Sequence, residues 1–224
     1  MGERSTGRRA RTERVPLSRE RIVKAAIALA DEKGAAGVTM RAIAAELSVE
    51  AMSLYNHVAG REDILGGMVD AVYGEIDLPT STTDWKGAMR DRADSARTAL
   101  KRHPWAVGLL DSRRRPGPAT LRHHDAVLGA LRAGGFSIGM AAHAVSVIDS
   151  YLYGFVLQEL TLPFATPTEL DEVAADILHD LPPDTYPHLT ELITKQAAGS
   201  AYDYTAEFDS GLFLILNALH PDEL

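Results

Sequence analysis

The sequence predicts an all-α protein: an N-terminal three-helix domain of the helix-turn-helix, DNA-binding kind, followed by a larger C-terminal helical domain. Three observations carry this expectation. Apolar residues fall on helical faces through most of the 224 residues, as amphipathic helices require. No run alternates apolar and polar as a strand does, and no internal repeat is found. The stretch Thr39 to Arg61, TMRAIAAELSVEAMSLYNHVAGR, reads as two short helices around a tight turn, with Ala42, Ile43, Leu47, Val49, Leu54 and Val58 turned inward. Its outward set, Arg41, Ser53, Tyr55, Asn56, His57 and Arg61, carries the groups that bond phosphate oxygens and base edges.

The elements follow in order. Residues 1 to 16 hold Arg4, Arg8, Arg9, Arg11 and Arg14 without hydrophobic periodicity, and are expected to form a disordered basic arm. Ser18 caps a helix running to about Lys33, with Ile22, Val23, Ala26, Ile27 and Ala30 as its apolar face and Gly34 as its stop. Thr39 caps the next helix, Ser48 and Val49 make the turn, and a third helix spans Glu50 to about His57. A fourth runs from Arg61 to about Ile76 with the stripe Ile64, Leu65, Met68, Val72 and Ile76. The predicted domains are thus the arm 1–16, a DNA-binding domain 17–63 and a helical domain 64–224.

Within that last domain, helices are expected over Asp84 to Arg102 and Ala119 to Ala133, separated by an apolar turn at Trp105 to Leu110 and a basic loop at Arg113 to Pro118. Ser137 caps a long, almost uncharged helix to about Leu162. The segment Pro163 to Pro187 is broken by prolines and holds one short acidic helix; Leu189 to Ala198 and Asp203 to Leu219 complete the set. The helix after Ser137 and the last one are apolar on more than one face. Two explanations are open: a buried core within one chain, or a four-helix interface between two copies, with Gly154 and Gly211 permitting close approach.

Charge divides by position. Residues 1–61 hold 11 Lys/Arg against 7 Asp/Glu (+4), while residues 62–224 hold 12 against 24 (−12). A basic head on an acidic body suits a protein whose head faces a polyanion. There are no cysteines, so disulfides and thiolate metal sites are excluded. No apolar run is seen that reaches the length of a membrane helix, and no apolar segment follows the arginines as in a signal peptide. These features predict a cytoplasmic protein without a membrane partner.

On the pattern SRERIVKAAIALADEKGAAGVTMRAIAAELSVEAMSLYNHVAGREDIL, residues 17 to 65, the chain resembles the tetracycline-repressor (TetR) family. A looser resemblance to the C-terminal domain of the tetracycline repressor extends through AGGFSIGMAAHAVSVIDSYLYGFVLQE (133–159) and EFDSGLFLILNAL (207–219). The resemblance implies a homodimer that binds palindromic double-stranded operator DNA and releases it when a small-molecule effector enters the C-terminal domain. It places Ser18, Thr39, Ser53, Tyr55, His57 and Arg61 at phosphate-contacting positions, and Arg41, Ala51, Met52, Ser53 and Asn56 at base edges, with Met40 beside them. The chemistry agrees, because Arg suits guanine, Asn suits adenine, and Ala or Met packs on a thymine methyl.

Two departures from the tetracycline repressors stand out. Asn56 occupies a position where an aromatic residue commonly precedes the histidine, so the operator sequence does not transfer. VGLLDS, Val107 to Ser112, replaces the stretch in which a histidine binds the magnesium of the drug chelate. No metal site and no cofactor is therefore expected, and solvated or core roles are expected for His103, His123 and His124. The effector is expected to be apolar or aromatic, lined by Trp85, Met89, Trp105, Leu109, Tyr151, Phe155 and Gln158, with His143 and Asp149 as polar candidates. A ligand-independent DNA-binding dimer and, remotely, a helical enzyme are the alternatives. The enzyme class is disfavoured because no nucleophile elbow, phosphate-cradling glycine loop or H-E-x-x-H motif is present.

Overall fold

The computed structural model describes residues 16–80, 84–110, 115–164, 166–182, 185–198 and 204–221. The basic arm, and Arg113 and Arg114 of the expected basic loop, lie outside the described residues. Among those described the regular structure is helical throughout, in two compact units that divide within a helix, between Met68 and Val69.

The first unit holds α1 (Arg19–Lys33), a 3₁₀ turn (Ala35–Gly37), α2 (Met40–Glu46), α3 (Ala51–Leu54) and the first half of α4 (Arg61–Glu75). Ser18 and Thr39 cap α1 and α2: each hydroxyl oxygen accepts the backbone N–H three residues on, from Arg21 at 3.3 Å and from Ala42 at 3.1 Å. The core is Ile22, Val23, Ala26, Leu29, Val38, Ile43, Leu54, Val58, Ile64, Leu65 and Met68. Between α2 and α3, Ser48 takes φ 54°. Its N–H donates to Ala45 O (3.1 Å) and that of Val49 to Ala44 O (2.9 Å), the paired bonds that close a helix through a left-handed residue.

The second unit holds the rest of α4, α5 (Trp85–Arg102), a 3₁₀ turn (Pro104–Ala106), α6 (Pro118–Ala133), α7 (Ile138–Thr161), α8 (Pro167–Asp180), α9 (Pro187–Ala198) and α10 (Tyr204–Ala218). Pro118 opens α6 rather than ending the loop before it, since proline lacks only an N–H that a helix start leaves unused anyway. α7 packs against α5, α6 and α10 through Met140, Ala144, Ile148, Leu152 and Val156, while α8 pairs with α9.

By length and composition α7 could cross a membrane, which corrects the expectation that no segment reaches that size. It is instead a core helix whose Asp149 and Glu159 are each paired with an arginine of α5. Gly211 also has a different reason from the one expected. A Cβ there would lie 2.2 Å from the Tyr151 hydroxyl of α7, so its small size serves packing of α10 on α7 within the chain. Gly154, by contrast, has nothing within 4 Å of its Cβ direction. Leu157, Phe213 and Leu214 are exposed on the same two helices.

Candidate nucleic-acid interface and ligand core

In the first unit, α3 is held by two anchors, Leu54 and Val58, both buried. Everything polar around them is displaced outward. Met52 is 75% exposed and Tyr55 50% exposed, and Thr39, Arg41, Asn56 and His57 are exposed as well, with Met40, Ala51 and Ser53 half-buried beneath them. Regular helix ends at Leu54 rather than at His57. Over Tyr55 to His57 the chain tightens into three-residue bonds, Tyr55 N–H to Met52 O, Asn56 N–H to Ser53 O and His57 N–H to Leu54 O at 2.9 Å, a 3₁₀-like finish common at helix ends. The exposed Met52 and Tyr55 give this turn an apolar and a hydrogen-bonding tip.

The Thr39 cap hydroxyl accepts from the backbone, which leaves its O–H proton to donate elsewhere, whereas the Ser18 hydroxyl also bonds the Glu20 carboxylate and, after the Glu20 backbone N–H, helps to lower its pKa. Arg61 has a second occupation that periodicity did not reveal. Its Nε donates to Val38 O at 2.8 Å and one terminal nitrogen to Ala35 O at 2.9 Å, pinning the loop before α2 to the start of α4. Arg19 similarly donates to Asp63 Oδ1 at 2.8 Å, while Asp63 Oδ2 accepts Ala59 N–H at 3.0 Å. The bond from Arg19 and then the Ala59 N–H hold the Asp63 carboxyl below its usual range.

In the second unit the expected ligand residues separate. Trp85 opens α5 and packs edge-on to Phe136 with ring centroids 4.7 Å apart, whereas Trp105 follows the end of the same helix. Helix α5 (Trp85–Arg102) at 1.5 Å per residue puts roughly 25 Å between its two ends, so the two tryptophans do not share one small molecule. His143 and Gln158 are exposed, Leu109 half-buried and Met89 buried. Tyr151 and Phe155 do come together, in an aromatic group with Tyr204 and Phe208. The Tyr151 hydroxyl donates to Phe208 O at 2.9 Å. The Arg97 guanidinium lies 4.9 Å from the Phe208 ring centroid and forms a two-pronged pair with Glu159 at 2.9 and 2.8 Å.

Asp149 leads to residues that sequence reasoning missed. It pairs with Arg92, which is 2% exposed, and Arg92 Nε donates to His123 Nε2 at 3.1 Å. That bond makes Nε2 an acceptor and places the imidazole proton on Nδ1, which has no hydrogen-bond partner among the described residues. Burial, then the Arg92 charge and then His124, push the His123 pKa down to about 3, so the ring is neutral near pH 7. Burial opposes the Arg92 charge, but the facing Asp149 more than compensates and its pKa is raised. Burial and then Asp149 raise the Tyr153 phenol well above its ordinary value, and Tyr73 lies 5.2 Å, ring to ring, from His123. The missed signal was Arg92 on the same helical face as Met89, Ala93 and Ala96. Among the described residues no three His, Asp or Glu side chains gather as metal ligands.

Residues 22–68 match the model for bacterial regulatory proteins of the tetR family, and residues 78–221 match the tetracyclin repressor-like C-terminal domain. The chain belongs to the TetR family. It is similar to the HTH-type transcriptional repressor DrrR1 of Streptomyces coeruleorubidus, 34% identical over 69% of this chain and 58% of that protein. It is also similar to an HTH-type transcriptional regulator of Saccharopolyspora erythraea, 35% identical over 64% of this chain and 61% of that one. The matched region thus spans about three fifths of each relative's length. Among solved structures, the TetR family protein ActR of Streptomyces coelicolor in complex with (S)-DNPA matches with a TM-score of 0.75 at 25% identity, covering 92% of this chain and 98% of that one.

Proposed function

We propose that this TetR-family chain is a ligand-responsive transcriptional regulator: a homodimer that grips palindromic operator DNA and lets go when a small molecule enters its second unit. The observation that carries the reading is the face of α2 and α3, where Arg41, Met52, Tyr55, Asn56 and His57 project from anchors that are themselves buried. Rigid placement is what base readout needs, because a bidentate contact tolerates little misalignment. Arg41, Met52 and Asn56 read bases in this proposal, while Ser18, Thr39, Ser53, Tyr55 and His57 hold phosphates. The name of the Streptomyces coeruleorubidus relative, a repressor, supports the direction of control.

Dimerisation uses the outer faces of α7 and α10, where Gly154 offers open space and Leu157, Phe213 and Leu214 are exposed. The effector is aromatic and carries a hydrogen-bond acceptor, to which the His123 Nδ1–H donates. That ActR was solved in complex with (S)-DNPA supports the ligand-responsive reading.

Selection of duplexes from a random pool, followed by titration at several salt concentrations, tests the DNA arm. The expected product is a palindrome whose half-sites lie about 34–36 Å apart, bound with a steep salt dependence. Equal affinity for selected and scrambled duplexes would reject it. Loss of the duplex on adding a phenol or hydroxyquinone from a screened panel, with His123→Phe insensitive to the same compound, supports the effector arm. No release by any member would leave the ligand-independent dimer as the better description.

A further inference from the structure

The loop that leads into α2 is rich in glycine and light in bonds of its own. It runs Gly34, Ala35, Ala36, Gly37, with Gly34 at φ 72° and no room for a side chain on Gly37, whose Cβ would stand 2.7 Å from the Lys33 Cβ. Glycine at both ends gives the stretch much backbone freedom to lose on folding. Two turn bonds hold it from within, Gly37 N–H to Gly34 O at 3.0 Å and Val38 N–H to Ala35 O at 3.3 Å. The other hold comes from the far side of the motif. Arg61 donates from Nε to Val38 O at 2.8 Å and from Nη2 to Ala35 O at 2.9 Å, and its Nη1 lies 3.8 Å from Glu62 Oε1. Val38 and Arg61 are 23 positions apart, and the chain between them is α2, the turn and α3. The bonds thus join the two ends of the helix-turn-helix.

We infer that Arg61 is a positioning residue for DNA binding and not a phosphate contact: its guanidinium clasps the ends of the helix-turn-helix and so places the Thr39 hydroxyl. The inference rests on the regulator reading above and concerns the first unit alone. Its geometry starts at the Val38 carbonyl, which shares one planar peptide with the Thr39 nitrogen. A bond to that oxygen fixes the plane from which Thr39, the N-cap of α2, begins. The Thr39 hydroxyl accepts Ala42 N–H at 3.1 Å, and its own proton is one of the phosphate donors proposed above. The chemistry separates the two roles of an arginine. A phosphate contact needs a cation, which lysine also supplies as a point charge. A clasp on two carbonyls needs donors held in one plane, which a guanidinium has and an ammonium lacks. All three guanidinium nitrogens already face oxygens of the protein, so a phosphate would have to draw the group away from them.

The test uses the full chain and the duplex that the wild type selects from a random pool. Arg61→Lys keeps the charge and loses the fork. Arg61→Gln loses the charge, yet its amide nitrogen falls where Nε stands and keeps the bond to Val38 O. Melting temperatures are measured alongside, so that affinity is taken per folded chain. The lysine variant is expected to bind the duplex roughly ten-fold more weakly than wild type, the worth of about one charge-assisted bond. The glutamine variant is expected to bind better than the lysine variant, with an unchanged slope of log affinity on log salt. Lysine near wild type, glutamine below lysine, or a glutamine slope shallower by about one would each overturn the inference, since each marks the charge as the working feature. In the chain without DNA, hydrogen exchange at the Val38 amide is expected to be about ten-fold faster in Arg61→Lys. Unchanged exchange there overturns the clasp whether or not DNA is bound. A wild type that selects no duplex defeats the regulator reading, and exchange at Val38 then judges the clasp by itself.

Discussion

The two units keep their charges on opposite sides of their cores. In the first unit every described core residue is apolar, and Arg19, Arg41, Arg61 and Asp63 stay at or near the surface. In the second unit Arg92, Arg97, His103, His123 and Asp149 are buried. The difference teaches where each unit's specificity comes from. A surface charge is hydrated and cheap to hold, so it can be spent on a partner that arrives later. A buried charge has lost its water and must be paired by the fold itself, which makes the interior of the second unit sensitive to anything that alters its hydrogen bonding.

The largest break in that comparison is at Arg92. Arg92→Met leaves Asp149 buried without its partner and is expected to lower stability by about 3–5 kcal/mol, read by urea unfolding. Replacing both, as Arg92→Met/Asp149→Leu, recovers most of the loss if the cost is the orphaned charge rather than the lost volume. Equal destabilisation by single and double variants would show that shape dominates.

A second break is a pH dependence belonging to the second unit. His123 titrates at about 3 in the folded chain, against 6.5 for the ordinary imidazole, because of burial and then Arg92. Below pH 6.5 the unfolded chain takes up a proton that the folded chain refuses. The contribution of His123 is therefore fully present above pH 6.5 and is lost progressively as pH falls toward 3. Unfolding titrations across that window should flatten in His123→Gln, whose amide oxygen can still accept from Arg92. An unchanged slope would mean that other groups carry the acid sensitivity.

Arg61→Ala sharpens the comparison from the other side. Its guanidinium bonds two backbone carbonyls at the surface of the first unit, and charge-assisted bonds of this kind contribute about 1.5–3 kcal/mol together at a partly exposed site. Loss of stability with a weakening of binding to all duplexes alike is expected. Intact melting behaviour with reduced binding would make phosphate contact its sole role. The smallest effect is at Ser48, a non-glycine residue at φ 54°. Ser48→Gly relieves that conformation and should raise stability by about 0.5–1 kcal/mol; a drop would mean that the serine side chain is itself needed at the turn.

How far each unit was legible in the sequence follows from the same contrast. Ser18, Gly34, Thr39 and the stripe on α4 were readable because caps and apolar periods are local signals, and surface charges leave them undisturbed. Helix α3 was read one turn too long, since its last residues close three-residue bonds that composition does not distinguish from a full turn. In the second unit the helices were readable but their interior was not. Arg92 and His123 look like solvated residues until the fold brings α5, α6 and α7 together, and the Asp70 carboxylate that accepts the Thr120 N–H at 2.8 Å lies 50 positions away in the sequence. The tryptophans were grouped by chemistry, although one helix length separates them.

The most direct test of this division crosses one surface arginine with one buried arginine. Melting temperature and affinity for the selected duplex are measured together for Arg41→Ala and Arg92→Met. The account predicts that Arg41→Ala melts like wild type and loses about 1–3 kcal/mol of discrimination for its preferred duplex, while Arg92→Met melts lower and its folded fraction still prefers the same sequence. The opposite pattern, an Arg41→Ala variant that melts early with its preference intact and an Arg92→Met variant that melts normally with its preference lost, would contradict it.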